Sequence, residues 1–304
     1  MKQRFLAIVN PAAGGGRCGR LAEATLARVR DMGIDLEVAT TKCPGEATEI
    51  ARTAYASGIR NFLAAGGDGT SFEIVNGLFP EALSPAGSGE RSTLGFLPLG
   101  TGNSFLRDFT DRGVEHTLES LKENRRRACD VILLRHAEGE LYFINLLSLG
   151  FPADVAETTN RSFKGWGEHG YIMGVLARLA ALKHQAFPHR LDGAGEWNRD
   201  PALFLVFSNS KFTGGKMMIS PKADPSDGKI EHVRWGLIGR LQLLWTFPRL
   251  FTGTHIEHAR AFRAPAECVE FDLNGPATVM IDGEILRLQC QSLEILPGAL
   301  DVIA

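Results

Sequence analysis

Apolar positions along the first hundred residues follow two alternating periods. The runs "RFLAIVN" from Arg4, "RNFLAA" from Arg60 and "TLGFLPL" from Thr93 are continuous and rich in β-formers, the pattern of strands covered on both faces. "IDLEVAT" predicts one further strand. Between these runs the apolar residues fall at helical spacing: through Leu21, Thr25, Leu26 and Val29, through "GEATEIARTAYASG" with Gly58 as its stop, and through "SFEIVNGLF". Strands alternating with helices across short connections predict a parallel, doubly wound, Rossmann-like α/β sheet.

The texture changes near residue 130. "DVILLR", "LYFINLLSLGF", "PALFLVFSN", "GKIEHVRW", "ECVEFDL", "ATVMIDG" and "SLEILP" are short runs separated by turn residues, which predicts an antiparallel, all-β second domain. Two stretches, roughly 163–187 and 236–259, interrupt it with a helical pattern. The expected division is an α/β domain over 1–130, rejoined by 291–304, and a β domain over 131–290. A length of 304 residues suits two such domains.

Charge and cysteine usage narrow the function classes. With 33 Lys and Arg against 35 Asp and Glu, the net charge of -2 gives no long-range attraction for a polyanion, so no nucleic acid partner is expected. Cys18, Cys43, Cys129, Cys268 and Cys290 are odd in number and include no C-x-x-C pair, which suits reduced thiols in the cytoplasm. The apolar run at the N-terminus is short and meets Asn10-Pro11, so it reads as a strand and not as a leader. No uninterrupted apolar stretch approaches bilayer thickness, and membrane contact is therefore expected to be peripheral.

Three glycine-bearing turns follow apolar strands: "NPAAGGG", "GGDGT" and "LGTGN". Loops at the carboxyl ends of parallel strands converge on one crevice, where helix N-termini offer backbone N–H groups to an anion. Together the turns predict a phosphate or nucleotide site. Gly14 to Gly19 formally match G-x-G-x-x-G, with Glu37 near the acidic position, but Asn10-Pro11 delays the helix; a Walker loop fails because Arg20-Leu21 stands where Lys and Ser or Thr are required. A carboxylate at Asp68 would be repelled by phosphates unless it holds Mg²⁺ or takes a proton from an attacking hydroxyl. Its alternative role is a turn former or cap for the following helix.

In order, "NPAAGGG", "TTKCPGEA", "GGDGTSFEIVNG", "PLGTGNSF", "SLGF", "SNSKFTGGKMMISPKADPSDGKI" and "IDGE" resemble the diacylglycerol kinase catalytic-domain superfamily of lipid kinases, across nearly the whole chain. That superfamily includes bacterial diacylglycerol kinases, phosphatidylglycerol-type lipid kinases, and sphingosine and ceramide kinases. The resemblance implies an N-terminal ATP-binding domain, a C-terminal antiparallel β-sandwich shaping the lipid site, and a catalytic cleft between them. It maps ATP contacts onto Asn10, Thr41, Gly66, Gly67, Asp68, Gly69 and Thr70 with Glu73, and Thr101 with Asn103. It maps the general base region onto Asp282 and Glu284, and a structural Mg²⁺ onto Asp224, Asp227 and the Lys229 carbonyl. Read from the residues alone, Asp282-Gly283 is also an ordinary hairpin turn, and Asp224 to Gly228 an ordinary surface turn.

Several positions depart from the pattern. Ser104 follows Asn103 where diacylglycerol kinases of this group commonly carry Asp, as sphingosine-type members also carry a small residue. Phe72 replaces a frequent Asn, Arg17 or Arg20 would serve as the basic residue of the first loop, and Asp130 matches an acidic position of the Mg²⁺ network.

Lipid contact has two candidate stretches. "GLIGRLQLLWTFPRLFTGTH" combines large apolar residues with Arg240 and Arg249, suiting either an interfacial surface or a helix packed on the β domain; "FKGWGEHGYIMGVLARLAALKH" is the second. Arg125-Arg126-Arg127 is a supplementary basic run. The expectation is an ATP- and Mg²⁺-dependent kinase of a membrane lipid hydroxyl, diacylglycerol-like first, peripherally attached, with a homodimer as one assembly open to it. A sphingoid base or ceramide kinase, a kinase of a soluble substrate such as NAD, and a silent lipid- or nucleotide-binding protein are the alternatives.

Overall fold

β1 (Arg4–Val9), β2 (Asp35–Thr40), β3 (Asn61–Gly66) and β4 (Thr93–Pro98) pair in parallel in the order β2-β1-β3-β4. β1, β3 and β4 are buried almost throughout, as their unbroken apolar runs require, whereas β2 at the edge keeps exposed positions. The computed structural model describes residues 4–83, 91–162, 182–214 and 216–304. It resolves into two units: one of residues up to Val131 with Tyr142–Ile144 and Leu296–Ala304, the other of Ile132–Leu141 and Asn145–Ile295.

Helices α1 (Arg17–Asp31), α2 (Glu46–Ala56) and α3 (Asp68–Leu78) follow the first three strands as the periodicity predicts. The inward face of α1 is Cys18, Ala22, Thr25, Leu26 and Val29, and Leu21, expected inward, is 40% exposed. At 100° per residue Leu21 lies off the stripe that Cys18 and Ala22 define, and those small residues leave no gap for it to fill. A fourth helix, α4 (Val114–Lys122), was not foreshadowed by an apolar stripe, because its inward face includes His116, Thr117 and Ser120. Thr117 Oγ1 donates to the Phe96 carbonyl at 2.7 Å, which satisfies a polar group in the core.

β5 (Arg126–His136) runs out of the first unit into the second. The further strands are β6 (Gly139–Phe143), β7 (Leu146–Gly150), β8 (Gln185–Ala186), β9 (His189–Leu191), β10 (Pro201–Ala202), β11 (Phe204–Ser208), β12 (Phe212–Thr213), β13 (Met217–Met218), β14 (Ile230–Trp235), β15 (Ala261–Ala266), β16 (Cys268–Phe271), β17 (Ala277–Ile281), β18 (Glu284–Leu288) and β19 (Cys290–Ile303). The run "LYFINLLSLGF" is thus broken at Asn145, and Tyr142 belongs with the first unit, where Asn76 exchanges two 2.9 Å hydrogen bonds with its backbone. Asp301–Ile303 of β19 pair in parallel with β4.

In the second unit one sheet has the order β15-β14-β11-β7-β17-β18, antiparallel throughout. β16 pairs antiparallel with β9 on one side and with the first half of β19 on the other. The two layers meet where Phe207 on β11 stands edge-on to Phe271 on β16 at 5.3 Å; within its own sheet Phe207 stacks on His232 of β14 at 4.6 Å. α5 (Phe151–Ser162) follows β7, a helix the sequence reading did not anticipate. The helical expectation over 163–187 lies mostly outside the described residues, and its end is not helical, since Gln185–Ala186 form β8. Over 236–259 the expected helix is three short pieces, Arg240–Thr246, Arg249–Thr252 and a 3-10 turn at Thr254–Glu257. Pro248 and the left-handed Gly253 set the breaks.

His189 and His232 lie in the core between the layers, their Nε2 atoms 3.2 Å apart. Burial lowers both, His232 to about 3, with His189 and Arg234 adding repulsion. Both rings fold neutral, whereas the unfolded chain takes up a proton on each below its ordinary pKa of about 6.5.

Two predictions follow from this core. Leu26, 1% exposed, is expected to cost about 2–5 kcal/mol on replacement by Ala, while Leu21→Ala stays within about 0.5 kcal/mol, both read from denaturant midpoints. The stability of the second unit is expected to fall as pH drops below about 6.5, because the unfolded state then binds more protons, and the slope should flatten in His232→Phe.

Candidate functional site

The carboxyl ends of β2, β1, β3 and β4 lie side by side, and the three glycine turns emerge there, at the point where the strand order reverses between β1 and β3. Backbone bonds fix their spacing: Thr41 N donates to Val9 O at 2.9 Å, Asn10 N to Ala65 O at 3.0 Å, and Gly100 N to Gly66 O at 2.7 Å. A Cβ on Gly100 would sit 2.8 Å from the Gly67 backbone, so no other residue allows the second and third turns this close. The structure therefore gathers Asn10, Thr41, Gly66 to Thr70, Thr101 and Asn103 on one side of the sheet.

Asp68 opens α3, but its side chain does not cap that helix. Both carboxylate oxygens accept the Ser104 N–H, at 2.8 and 2.9 Å, across the gap between the two glycine turns. Asp68 is partly buried, and desolvation pushes its pKa up against the lowering effect of the Ser104 and Phe105 donors. These bonds come from the Ser104 backbone and so do not require serine, but a carboxylate side chain in its place would bring a second negative charge beside Asp68. Thr70 Oγ1, next to Gly66, is buried with no hydrogen-bond partner among the described residues.

Glu73 is directed elsewhere. Its Oε1 accepts Gly45 N at 2.9 Å and its Oε2 accepts Ala47 N at 3.0 Å, so it caps α2 from outside and holds the "TTKCPGEA" loop in place. Thr41 is buried, with its hydroxyl toward the Val9 carbonyl. In the first turn Gly14, Gly15 and Gly16 are all left-handed, at φ 62°, 63° and 84°, a conformation that glycine adopts without strain. The N–H groups of Gly16 to Arg20 are consumed within that loop and the start of α1, which corrects the expectation that all three helix starts offer free donors. Asn10 Oδ1 accepts Ala12 N at 3.2 Å and stiffens the same turn.

A cleft of about 400 Å³ borders the third turn, lined by Gly100, Thr101, Gly102 and Asn103 together with Arg17, Arg107 and Arg112. Arg112 pairs with Glu119, whereas Arg17 and Arg107 have no ion-pair partner among the described residues. Arg17 was one of the two basic residues proposed for the first loop. Arg107 was missed, since it follows the motif in a short 3-10 turn that carries no sequence signal of its own.

Asp130 is buried and accepts Gly298 N at 2.7 Å, a bond between β5 and β19.

In the second unit Asp282 and Gly283 form the two-residue turn between β17 and β18, with φ 48° and 88°. The turn swings Asp282 inward: it is buried, and its Oδ1 accepts Asn145 N at 3.1 Å and Leu146 N at 3.0 Å. Asn145 in turn receives Asn209 N on its carbonyl at 2.7 Å and the Ser210 hydroxyl on Oδ1. Asn145, Asn209 and Ser210 lie within quoted runs, yet only the fold discloses that Asn145 meets Asp282 and is itself held by Asn209 and Ser210. Glu284 is exposed at the start of β18.

Asp224 and Asp227 are exposed and turn onto their own loop: Asp224 Oδ1 accepts Ser226 N and Oγ, and Asp227 Oδ1 accepts Lys229 N. Lys229 Nζ pairs with Glu267. Among the described residues no three His, Cys, Asp or Glu side chains converge as a metal cage.

The partly buried Asp68 makes this geometry testable. Its raised pKa means that folded-state stability declines as pH rises from the ordinary Asp value of about 3.9 through the raised one, since the charged form is the disfavoured form. Asp68→Asn is expected to be at least as stable as the parent at pH 7, with the advantage vanishing below about pH 3.9, as read by thermal melts across pH.

Comparison with known proteins accounts for both units. The diacylglycerol kinase catalytic domain family matches residues 4–134, and the YegS C-terminal NAD kinase beta sandwich-like domain family matches 145–304. A diacylglycerol kinase of Mycobacterium tuberculosis is 27% identical over 303 residues, covering 99% of this chain and 94% of that protein. A YegS-like lipid kinase of Chromohalobacter salexigens is 30% identical over 306 residues, covering 95% and 91%. Two crystal structures of diacylglycerol kinase-type proteins from Bacillus anthracis str. Sterne share the fold, with TM-scores of 0.78 and 0.70 at 23% and 21% identity, covering 99% of this chain and 95% and 96% of theirs. With an α/β domain followed by an antiparallel β domain, each matching its counterpart, the chain belongs to the diacylglycerol kinase and YegS-like family of lipid kinases.

Proposed function

We propose that the chain transfers the γ-phosphoryl group of ATP, with Mg²⁺, to the hydroxyl of a diacylglycerol-like membrane lipid at the membrane surface. The observation that carries this reading is the Asp68–Ser104 clasp between two glycine turns, beside a cleft edged by Arg17 and Arg107. Two cationic side chains without an ion-pair partner among the described residues, beside glycine turns, suit a polyphosphate, which needs close approach and charge compensation. Asp68 is a hard oxygen donor of the kind Mg²⁺ takes, one carboxylate alongside phosphate oxygens and water. Bound there, the cation would offset charge developing on the transferred group.

The chain's own residues divide the remaining work. Gly66, Gly67 and Gly100 keep the turns close, Thr101 and Asn103 border the nucleotide, and Glu73 acts at one remove by holding the "TTKCPGEA" loop. Asp282 would take the hydroxyl proton, its orientation set by the Asn145 and Leu146 N–H groups. Asp224, Asp227 and the Lys229 carbonyl are the proposed structural Mg²⁺ ligands, a role that requires Asp224 and Asp227 to give up their present turn bonds.

Radiolabel transfer from γ-labelled ATP into mixed micelles of diacylglycerol, phosphatidylglycerol, sphingosine or ceramide tests the reading. Label is expected in diacylglycerol, falling by roughly 100-fold or more in kcat for Asp68→Asn. Label only in sphingosine or ceramide would move the substrate to the sphingoid class. Labelling of NAD without any lipid would overturn the lipid assignment.

A further inference from the structure

Large apolar side chains are concentrated on the outside of the segment 237–251. Trp245 is 83% exposed, Leu241 76%, and Leu237, Leu244 and Phe251 about half exposed. The opposite face of the same segment anchors it: Ile238, Leu243 and Leu250 are buried in the core of the second unit, with Phe247 packed against them. Helix Arg240–Thr246 is therefore apolar on both faces, and among the described residues only the inner face has a protein partner. Solvated helices carry polar residues outward, so the second face calls for an occupant.

The charge pattern selects that occupant. Residues 236–256 contain no Asp or Glu, while Arg240 and Arg249 are exposed and lack an ion-pair partner among the described residues. A second copy seated across a twofold axis would bring arginines toward arginines with no carboxylate in the segment to offset them. An anionic lipid surface meets both needs, taking Trp, Phe and Leu at the acyl boundary and the guanidinium groups among the headgroups.

We infer that the face formed by Leu237, Leu241, Leu244, Trp245 and Phe251, flanked by Arg240 and Arg249, docks the protein on anionic bilayers. This deepens the lipid kinase reading by assigning the surface that meets the membrane.

Vesicle co-sedimentation without ATP tests it independently of phosphoryl transfer. The probes are vesicles of phosphatidylcholine alone and of phosphatidylcholine mixed with phosphatidylserine, an anionic lipid with no hydroxyl to phosphorylate. The full chain is expected to bind the mixed vesicles and to release them as salt rises. Leu241→Ser with Trp245→Ser should weaken partitioning by about tenfold or more, and Arg240→Gln and Arg249→Gln by about fivefold each. These side chains are exposed, so an unchanged thermal midpoint shows that the variants fold. Binding unaltered by the Ser pair overturns the inference, as does a Ser pair that converts a dimer to a monomer in sedimentation velocity and leaves vesicle binding intact. Vesicle binding without label transfer to any lipid would sink the kinase reading alone.

Discussion

The contact on which the site depends is one of backbone against backbone. Gly100 lies against Gly66 and Gly67, and the β3–β4 ladder extends one bond further through Gly100 N and Gly66 O. Only because no Cβ intervenes can Ser104 reach Asp68, and only then does the third turn border the cleft that Arg17 and Arg107 edge. A single steric allowance thus sets the electrostatics: the carboxyl is partly desolvated, its proton affinity rises, and a backbone donor holds it in one orientation.

The second unit solves a comparable problem with side chains. A type I′ hairpin turn needs positive φ at two residues, which explains Asp-Gly at 282–283 without any chemistry. Yet the same left-handed Asp282 points its carboxylate into the domain, where two N–H groups meet it and Asn145, Asn209 and Ser210 close the network. Turn former and candidate base are therefore one residue in one conformation. Asp224 and Asp227 show the contrasting case, exposed carboxylates that each accept a backbone N–H of their own loop.

What the sequence disclosed tracks how strongly each feature is imposed locally. The parallel strands were legible because burial on both faces leaves unbroken apolar runs, and the glycine turns because close approach admits no other residue. α4 was hidden since its inward face includes the polar residues His116, Thr117 and Ser120, and Leu21 misled because small residues, not large ones, define the buried stripe of α1. Arg107, Asn145 and the true partner of Glu73 are tertiary facts: residues 28 and more apart meet at Gly45 and Asp282, and no local pattern records that.

β19 begins in one unit and finishes in the other, so that Asp301–Ile303 complete the parallel sheet begun by β1. On the ribosome the earliest strands must therefore wait, with the β4 edge unpaired, until every residue of the second unit has been made. Synthesis order and folding order are opposed in this chain, and neither unit corresponds to a contiguous stretch that could be cut out and expected to close its own sheets.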